Sequence, residues 1–253
     1  RLRVATSAEF AKLAERIAAQ RERAKKGIVR IADLLKGKNK VKDKVASPQG
    51  TGPVIAAATE VALRGGVRVR DALTAVEAIS NAGGRAVVMT YWNPVLRKGV
   101  DTFARDLASA GGLGMITPDL IPEEADDWQA ASEAHDLDRI FLVAPSSTPE
   151  RLAETVQASR GFVYAASTMG VTGARDAVSN MAPELVRRVK EVADIPVGVG
   201  LGVRSGAQAA EIGAYADGVI VGSALVSALK DGIPAMRSLT EELAEGVRQR
   251  VTA

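Results

Sequence analysis

From residue 53 onward the sequence alternates between two kinds of segment, and this alternation limits the possible folds more than any other feature. Short runs rich in β-branched residues predict strands buried on both faces, as in a parallel sheet. Alanine-rich stretches with apolar residues at helical spacing separate these runs, and successive strands start about 22 to 34 residues apart, which predicts βα units with right-handed crossovers. The predicted strands are residues 85–91, 113–117, 139–144, 161–166, 195–200 and 218–222. The predicted helices are residues 53–64, 69–82, 100–110, 123–134, 149–159, 183–192 and 205–213, with a further helix starting at residues 222–223.

A barrel built from such units needs eight strands, and the segment after residue 84 supplies six of them. The first 50 residues predict a basic helix over residues 8–25 and two thin strand candidates at residues 28–34 and 41–46. We therefore expect an α/β protein with a (β/α)8 TIM-barrel fold, in which the first two strands are atypical. The whole chain, residues 1–253, is expected to form one domain.

The amino-terminal segment differs sharply in charge from the rest of the chain. Residues 1–50 contain 14 Lys and Arg against 5 Asp and Glu, a balance of +9, which leaves about −6 for the rest of a chain whose net charge is +3. Such asymmetry is typical either of a nucleic-acid-binding arm or of a solvated helix with a basic face. The second interpretation is favoured, because no nucleic-acid-binding motif and no interleaved aromatic residues accompany the basic stretch.

Composition excludes several functional classes. The chain has no cysteine and a single histidine, His135, so disulfide frameworks, thiol chemistry and multi-histidine metal sites are excluded. No apolar run reaches the length of a membrane span, and no secretion signal opens the chain. We expect a cytoplasmic protein that does not bind a membrane.

Three glycine-bearing segments follow the last predicted strands in order: residues 170–173, 198–202 and 217–223. In a barrel they fall on the carboxyl-terminal face, where ligands bind. Glycine lets backbone N–H groups approach a phosphate closely, and a helix starting at Ser223 would direct its free N–H groups at that anion. A single motif of this kind also suits a simple chain turn, but three in order favour a site for a phosphate-bearing ligand.

The same segments resemble the tryptophan synthase alpha-subunit family. The similar strings are GPVIAAATEVALRGG near residue 52, VVMTYWNPVLRKGVDTFARDLASAGGLGMITPDLIPEEADDW, FLVAPSSTPERL, GFVYAASTMGVTGARD, PVGVGLGVRS and ADGVIVGSALV. They cover about residues 52–253 in one order and spacing, and the DLIP and YWNP segments are most similar to the actinobacterial type. The resemblance ends at the basic amino-terminal segment.

The resemblance implies retro-aldol cleavage of indole-3-glycerol phosphate to indole and glyceraldehyde 3-phosphate, without a cofactor or metal, in an alpha–beta complex. The implied phosphate-binding residues are Gly173, Gly202, Gly222 and Ser223. The implied substrate pocket and mobile loop contain Met89, Tyr91, Leu142, Tyr164 and Thr172. The implied face for the beta subunit contains Asn93, Asp119 and Pro122. Core packing is the alternative role for the pocket side chains, and helix capping is the alternative role for Asp119.

The family's two catalytic carboxylates have no counterpart at the matching positions. The position of the family glutamate falls on Lys40, and that of the family aspartate falls on Thr51. Neither side chain replaces a carboxylate as a general acid or base near neutral pH. Asp43 is a weak substitute candidate, and Glu60 matches a helix position that should point away from the site. The catalytic residues are therefore unassigned.

Three functional hypotheses remain. The first is the lyase of the alpha–beta complex. The second is a non-catalytic relative that keeps the phosphate site and the partner face and still binds glyceraldehyde 3-phosphate or the beta subunit. The third is a phosphate-binding barrel whose basic arm contacts nucleic acid, which a steep fall of affinity with salt would reveal.

Overall fold

The computed structural model of the chain describes residues 53–166, 181–200 and 202–249. One or two helices separate successive strand positions within these ranges, in the βα order that the sequence predicts. The strands are β1 (Val87–Met89), β2 (Gly114–Ile116), β3 (Asp138–Ile140), β4 (Leu142–Val143), β5 (Val163–Ala166), β6 (Val197–Gly200) and β7 (Gly218–Ile220). The helices are α1 (Pro53–Arg64), α2 (Val69–Asn81), α3 (Trp92–Lys98), α4 (Val100–Ser109), α5 (Asp126–Ala134), α6 (Pro149–Ala158), α7 (Met181–Val192), α8 (Gly206–Gly213), α9 (Ser223–Ala228) and α10 (Ile233–Arg248), with 3-10 turns at Pro122–Glu124 and Leu229–Asp231.

All neighbouring strands pair in parallel and follow the order of the chain. One sheet has the order β1-β2-β3 and the other has the order β4-β5-β6-β7. This sequential parallel order, with a helix between successive strands, is that of a (β/α) barrel. The described residues contain six strand positions, and all six predicted strands are confirmed. The strand candidates at residues 28–34 and 41–46, and the predicted helix at residues 8–25, lie outside the described residues.

The predicted strand at residues 139–144 is divided in two by Phe141, the residue between β3 and β4. The main-chain pairing nevertheless continues past the division, because the N–H of Tyr164 donates to the carbonyl of Phe141 over 3.0 Å. The phenylalanine side chain is buried. The two short strands therefore occupy a single strand position, and the two sheets are joined there.

Side chains alternate between two faces along each strand, as strand geometry requires. Those pointing outward pack beneath the helices in two apolar clusters. The first of these clusters has its buried members between Val76 and Phe141, and the second has them between Val143 and Leu243. Those pointing inward form a third cluster without helix residues, made of Ile116, Ile140, Tyr164, Leu142, Phe162, Ala166 and Ile220. The third cluster is the interior of the barrel.

Helix starts agree with local sequence in two cases and differ in one. Thr148 caps α6 by accepting from the N–H of Arg151, and Ser205 caps α8 by accepting from the N–H of Gln208. Helix capping was the alternative role for Asp119, and Asp119 does cap a helix, but this helix is α3 and not the one that follows it in the chain. Its carboxylate oxygens accept from the N–H of Trp92 at 2.9 and 3.0 Å, at the start of α3.

One predicted helix is divided in the structure, and two further helices were absent from the prediction. The helix predicted over residues 123–134 is a 3-10 turn followed by α5, with the buried Ala125 between them. The helices α3 and α10 were not among those predicted. The sequence does contain a signal for α10. Apolar residues recur at helical spacing from Ile233 to Val247, a glycine precedes the helix, and a proline lies in its first turn.

Asp138 is the only carboxylate on the inward face of the described strands, and it lies at their amino ends. Burial is the main cause that raises the pKa of Asp138 above its ordinary value of 3.8, while Arg160 acts in the opposite direction. The Nε atom of Arg160 lies 3.3 Å from the carboxylate. In barrels of this kind chemistry takes place at the other end of the strands.

His135 follows α5 directly, and its Nε2 atom lies 3.0 Å from a carboxylate oxygen of Asp101. Within the described ranges, no group of three or more histidine and acidic side chains is placed to hold a metal ion. The same ranges contain no helix that is long and apolar enough to cross a membrane.

Candidate active site

The carboxyl ends of the strands surround an apolar floor. Leu142 and Tyr164, two of the expected pocket residues, are register partners on β4 and β5 and share the interior cluster. Met89 lies on the same inward face at the end of β1, opposite Ile116 of β2. Its side chain is 53% exposed, so that this edge of the floor is open among the described residues. Three of the expected pocket residues thus line one surface.

Tyr164 is fixed by the strand beside it. Its side chain is 9% exposed, and a Cβ atom placed on Gly200 of β6 would lie 2.1 Å from its hydroxyl oxygen. The absence of a side chain at Gly200 therefore leaves the space that the phenol ring occupies. Burial raises the pKa of Tyr164, so the hydroxyl stays protonated near neutral pH and can donate a hydrogen bond.

Gly202 and Gly222 lie at equivalent places on neighbouring chain segments. Gly200 of β6 and Ile220 of β7 are register partners, and Gly202 and Gly222 each lie two residues beyond them. Gly202 has a φ of +67°, a left-handed conformation that favours glycine. A Cβ atom on Gly222 would meet nothing within 4 Å, so the backbone there is open on that side.

Ser223 is the first residue of α9, and no side chain caps this helix. The first N–H groups of a helix have no partner within it and can bind an anion. The start of α8, after β6, is different. There Ser205 accepts from the N–H of Gln208, and Glu242 accepts from the N–H of Gly206 over 2.7 Å. Of the two helix starts, α9 is the one without a side-chain cap.

The expected partner face is built around α3. Asn93 is exposed on this helix, Tyr91 precedes it, and Pro122 begins the neighbouring 3-10 turn. Asp119 connects the two loops through its hydrogen bonds to the N–H of Trp92. Local sequence contains no signal for this connection, because its two ends are 27 positions apart.

Several expected residues lie outside the described part of the chain. They are Gly173, Thr172, Lys40, Asp43 and Thr51. Glu60 is described, and it pairs with Arg64 on the exposed surface of α1, away from the barrel interior, as expected. The sequence analysis did not identify Gly200 as the residue that makes room for Tyr164, or Glu242 as a partner of α8.

Comparison with known proteins identifies the family. A family model described as tryptophan synthase alpha chain matches residues 44–252. The chain is 81% identical to the tryptophan synthase alpha chain of Mycobacterium marinum over 205 residues, which are 81% of this chain and 76% of that protein. It is 78% identical to that of Mycobacterium tuberculosis over 208 residues, which cover 82% and 77% of the two chains.

Solved structures agree with the sequence relatives. A structure of Mycobacterium tuberculosis tryptophan synthase superposes with a TM-score of 0.77 and 78% identity, covering 80% of this chain and 78% of that one. A mutant alpha subunit from Pyrococcus furiosus superposes with a TM-score of 0.67 at 29% identity, covering 84% of each chain. The strand order, the apolar floor and these likenesses lead to one conclusion: the chain belongs to the tryptophan synthase alpha chain family.

Proposed function

We propose that this chain carries out the lyase reaction of its family, the cleavage of indole-3-glycerol phosphate to indole and glyceraldehyde 3-phosphate, together with a beta subunit. The observation that carries the proposal is the placement of Gly202, Gly222 and Ser223 at the ends of β6 and β7, beside the apolar floor formed by Leu142 and Tyr164. One substrate combining a phosphate with an apolar ring matches both parts of this surface.

The phosphate is assigned to the ends of β6 and β7. At Gly202 and Gly222 the backbone can approach an anion without an intervening Cβ atom, and the uncapped start of α9 at Ser223 contributes N–H groups and the positive end of the helix dipole. Gly173 is the fourth member of this proposed set, from the family resemblance.

The indole ring is assigned to the apolar floor. Leu142 and Met89 offer apolar contacts, and Tyr164 forms the base of the pocket with its hydroxyl protonated. Tyr91 and Thr172 complete the proposed pocket and loop. Removing the apolar ring from water contributes about 25 cal/mol per Å² of buried area to binding.

Proton transfer is assigned to none of the described strand residues. A retro-aldol cleavage removes a proton from an oxygen and adds a proton to a carbon, so it needs a positioned acid and base. The one inward-facing carboxylate on the described strands is Asp138, at the wrong end of the barrel. Lys40 and Thr51 occupy the positions of the family carboxylates, and Asp43 is the remaining candidate nearby.

The test is indole release from indole-3-glycerol phosphate, measured with and without the beta subunit of a mycobacterial relative. We expect release above background from the unsubstituted chain. The double variant Thr51→Asp, Lys40→Glu is expected to be faster by about 10²-fold or more, because it restores the two carboxylates. Thr59→Asp, Lys230→Glu changes the charge equally at exposed positions and is the matched control.

The outcomes separate the hypotheses. If both the chain and the double variant bind glyceraldehyde 3-phosphate but release no indole, the lyase proposal is overturned in favour of the non-catalytic relative. If neither binds the phosphate, the site itself is overturned. An affinity for nucleic acid that falls steeply with salt would instead support the basic arm.

The beta subunit is assigned to the face that contains Asn93, Asp119 and Pro122. Two large apolar side chains on this face, Leu96 of α3 and Ile121 just before the 3-10 turn, are 51% and 39% exposed and are available to a partner. We also propose that residues 1–253 form a single barrel domain and that the protein acts in the cytoplasm, as expected from the sequence.

Asp119 offers a test of the partner face. Asp119→Ala should destabilise the start of α3 by about 1 kcal/mol, since it leaves the N–H of Trp92 without its acceptor. We expect weaker binding of the beta subunit in calorimetry. Asp119→Asn keeps an acceptor and should bind nearly normally. Asp194→Ala, in the exposed loop before β6, is the control, and equal affinities for all three variants would refute the assignment.

A further inference from the structure

Glu242 connects α10, the last of the described helices, to the loop that follows β6. The Oε1 atom of its side chain accepts a hydrogen bond from the N–H of Gly206 over 2.7 Å, and the two residues are 36 positions apart. Gly206 is buried and is the first residue of α8. The contact therefore fixes the point where the loop containing Gly202 enters the helix.

The backbones of α8 and α10 also touch at this point. A Cβ atom on Gly206 would lie 2.7 Å from the carbonyl oxygen of Glu242, and one on Gly246 would lie 2.0 Å from the carbonyl oxygen of Gly206. Two glycines thus allow the helices to meet without intervening side chains. This close contact brings the carboxylate of Glu242 within reach of the start of α8.

Two further hydrogen bonds are formed within this loop and the first turn of α8. The Ser205 hydroxyl accepts from the N–H of Gln208 over 3.3 Å, and the Gln208 side chain accepts from the N–H of Arg204 over 2.8 Å. Together with Glu242, these bonds hold consecutive residues from Arg204 to Gly206. The positive end of the helix dipole favours a negative charge at the start of α8, and the carboxylate of Glu242 provides that charge.

We propose that Glu242 is a positioning residue for phosphate binding: through Gly206 it holds the loop that begins at Gly202 in its binding conformation. The inference rests on the proposed phosphate site at Gly202, Gly222 and Ser223. Glu242 itself does not touch the substrate. Without its acceptor the loop samples other conformations, and the apparent dissociation constant rises by the reciprocal of the fraction that remains competent.

The experiment compares two ligands on the full-length chain. The dissociation constants of glyceraldehyde 3-phosphate and of indole are measured for the unsubstituted chain and for Glu242→Ala, Glu242→Asp and Glu242→Gln. We expect Glu242→Ala to bind glyceraldehyde 3-phosphate about tenfold more weakly, which corresponds to about 1.4 kcal/mol, the size of one hydrogen bond to a charged group. Indole binding should be unchanged, because the apolar floor is built from other strands.

The variants distinguish positioning from general damage. The side chain in Glu242→Asp is too short to reach Gly206, so this variant should lose affinity as the alanine variant does. It provides a second test if the alanine variant folds poorly. Glu242→Gln keeps the acceptor oxygen and should restore most of the affinity. Glu241→Ala and Glu241→Gln, at the exposed neighbouring position, are the controls. Amide hydrogen exchange at residues 202–208 should accelerate in the alanine and aspartate variants only.

Three outcomes would overturn the inference. If the alanine and aspartate variants both bind glyceraldehyde 3-phosphate with unchanged affinity, Glu242 has no positioning role, while the proposed phosphate site still stands. Equal losses for glyceraldehyde 3-phosphate and indole show a general loss of structure instead of positioning. If the unsubstituted chain binds indole but no glyceraldehyde 3-phosphate, the proposed phosphate site fails, and the role of Glu242 fails with it.

Discussion

Replacing Gly246 by alanine is expected to lower the free energy of unfolding by about 3 kcal/mol, the upper part of the range for overpacking a close contact. The new Cβ atom would lie 2.0 Å from the carbonyl oxygen of Gly206 and 2.6 Å from the carbonyl carbon, both of which are backbone atoms. Backbone atoms cannot rotate away as a side chain can, so α10 must separate from α8. Urea denaturation followed by circular dichroism measures the effect.

Gly213 provides the matched control for this prediction. It lies on α8, and a Cβ atom there would approach α10 no closer than 3.8 Å, at the carbonyl oxygen of Val247. Gly213→Ala should therefore leave the stability unchanged or raise it by up to about 1 kcal/mol, because alanine is the better helix former. If Gly246→Ala were as stable as Gly213→Ala, the close contact of the two helices would be refuted.

Replacing Gly200 by alanine is expected to displace the ring of Tyr164 and to weaken indole binding. The new Cβ atom would lie 2.1 Å from the hydroxyl oxygen and 2.6 Å from the adjoining ring carbon of Tyr164. Because the ring is buried, it has little room to move away, and we expect a destabilisation of about 2 kcal/mol. Thermal unfolding and the dissociation constant of indole are the measurements.

A double-mutant cycle attributes the effect to this one contact. Tyr164→Leu removes the ring atoms, so Gly200→Ala should cost much less in the leucine background, with a coupling energy of about 1–2 kcal/mol. Gly198→Ala, on the same face of β6, is the control, because its Cβ atom would meet the flexible end of Ile220 at 2.9 Å. Additive costs for Gly200→Ala and Tyr164→Leu would contradict the proposed clash.

The strands and most helices could be predicted because their signals are local. A buried parallel strand is a continuous apolar run, and the strand at residues 161–166 is found as Val163–Ala166. The helix at residues 149–159 has a capping threonine and a proline at its start, and it is found as Pro149–Ala158. Such signals lie within a few residues of the element that they specify.

The features that could not be predicted depend on contacts between distant parts of the chain. The short helix α3 has no capping side chain in its own segment of the sequence. Asp119, in the following βα unit, supplies the cap instead. The glycine at position 200 reads as part of a phosphate motif in the sequence, yet the structure shows that it also makes room for Tyr164. Neither of these contacts can be predicted from the spacing of residue types along the sequence.

The expected site residues are in the same situation. Gly202 and Gly222 could be named from glycine motifs and a family likeness, and the strand register then places them at matching positions. Their role in phosphate binding stays a prediction, as do the roles of Met89 and Leu142. The catalytic pair cannot be located by either route, because its expected positions hold Lys40 and Thr51, which lie outside the described residues.

The division of the helix-facing core into two clusters has a consequence for synthesis of the chain on the ribosome. The buried members of the first cluster end at Phe141, and those of the second begin at Val143. Each cluster thus draws its buried residues from one continuous stretch, so little chain entropy is lost in closing long loops. Once the chain has emerged as far as Phe141, the first half of the core can pack before the second half has been made.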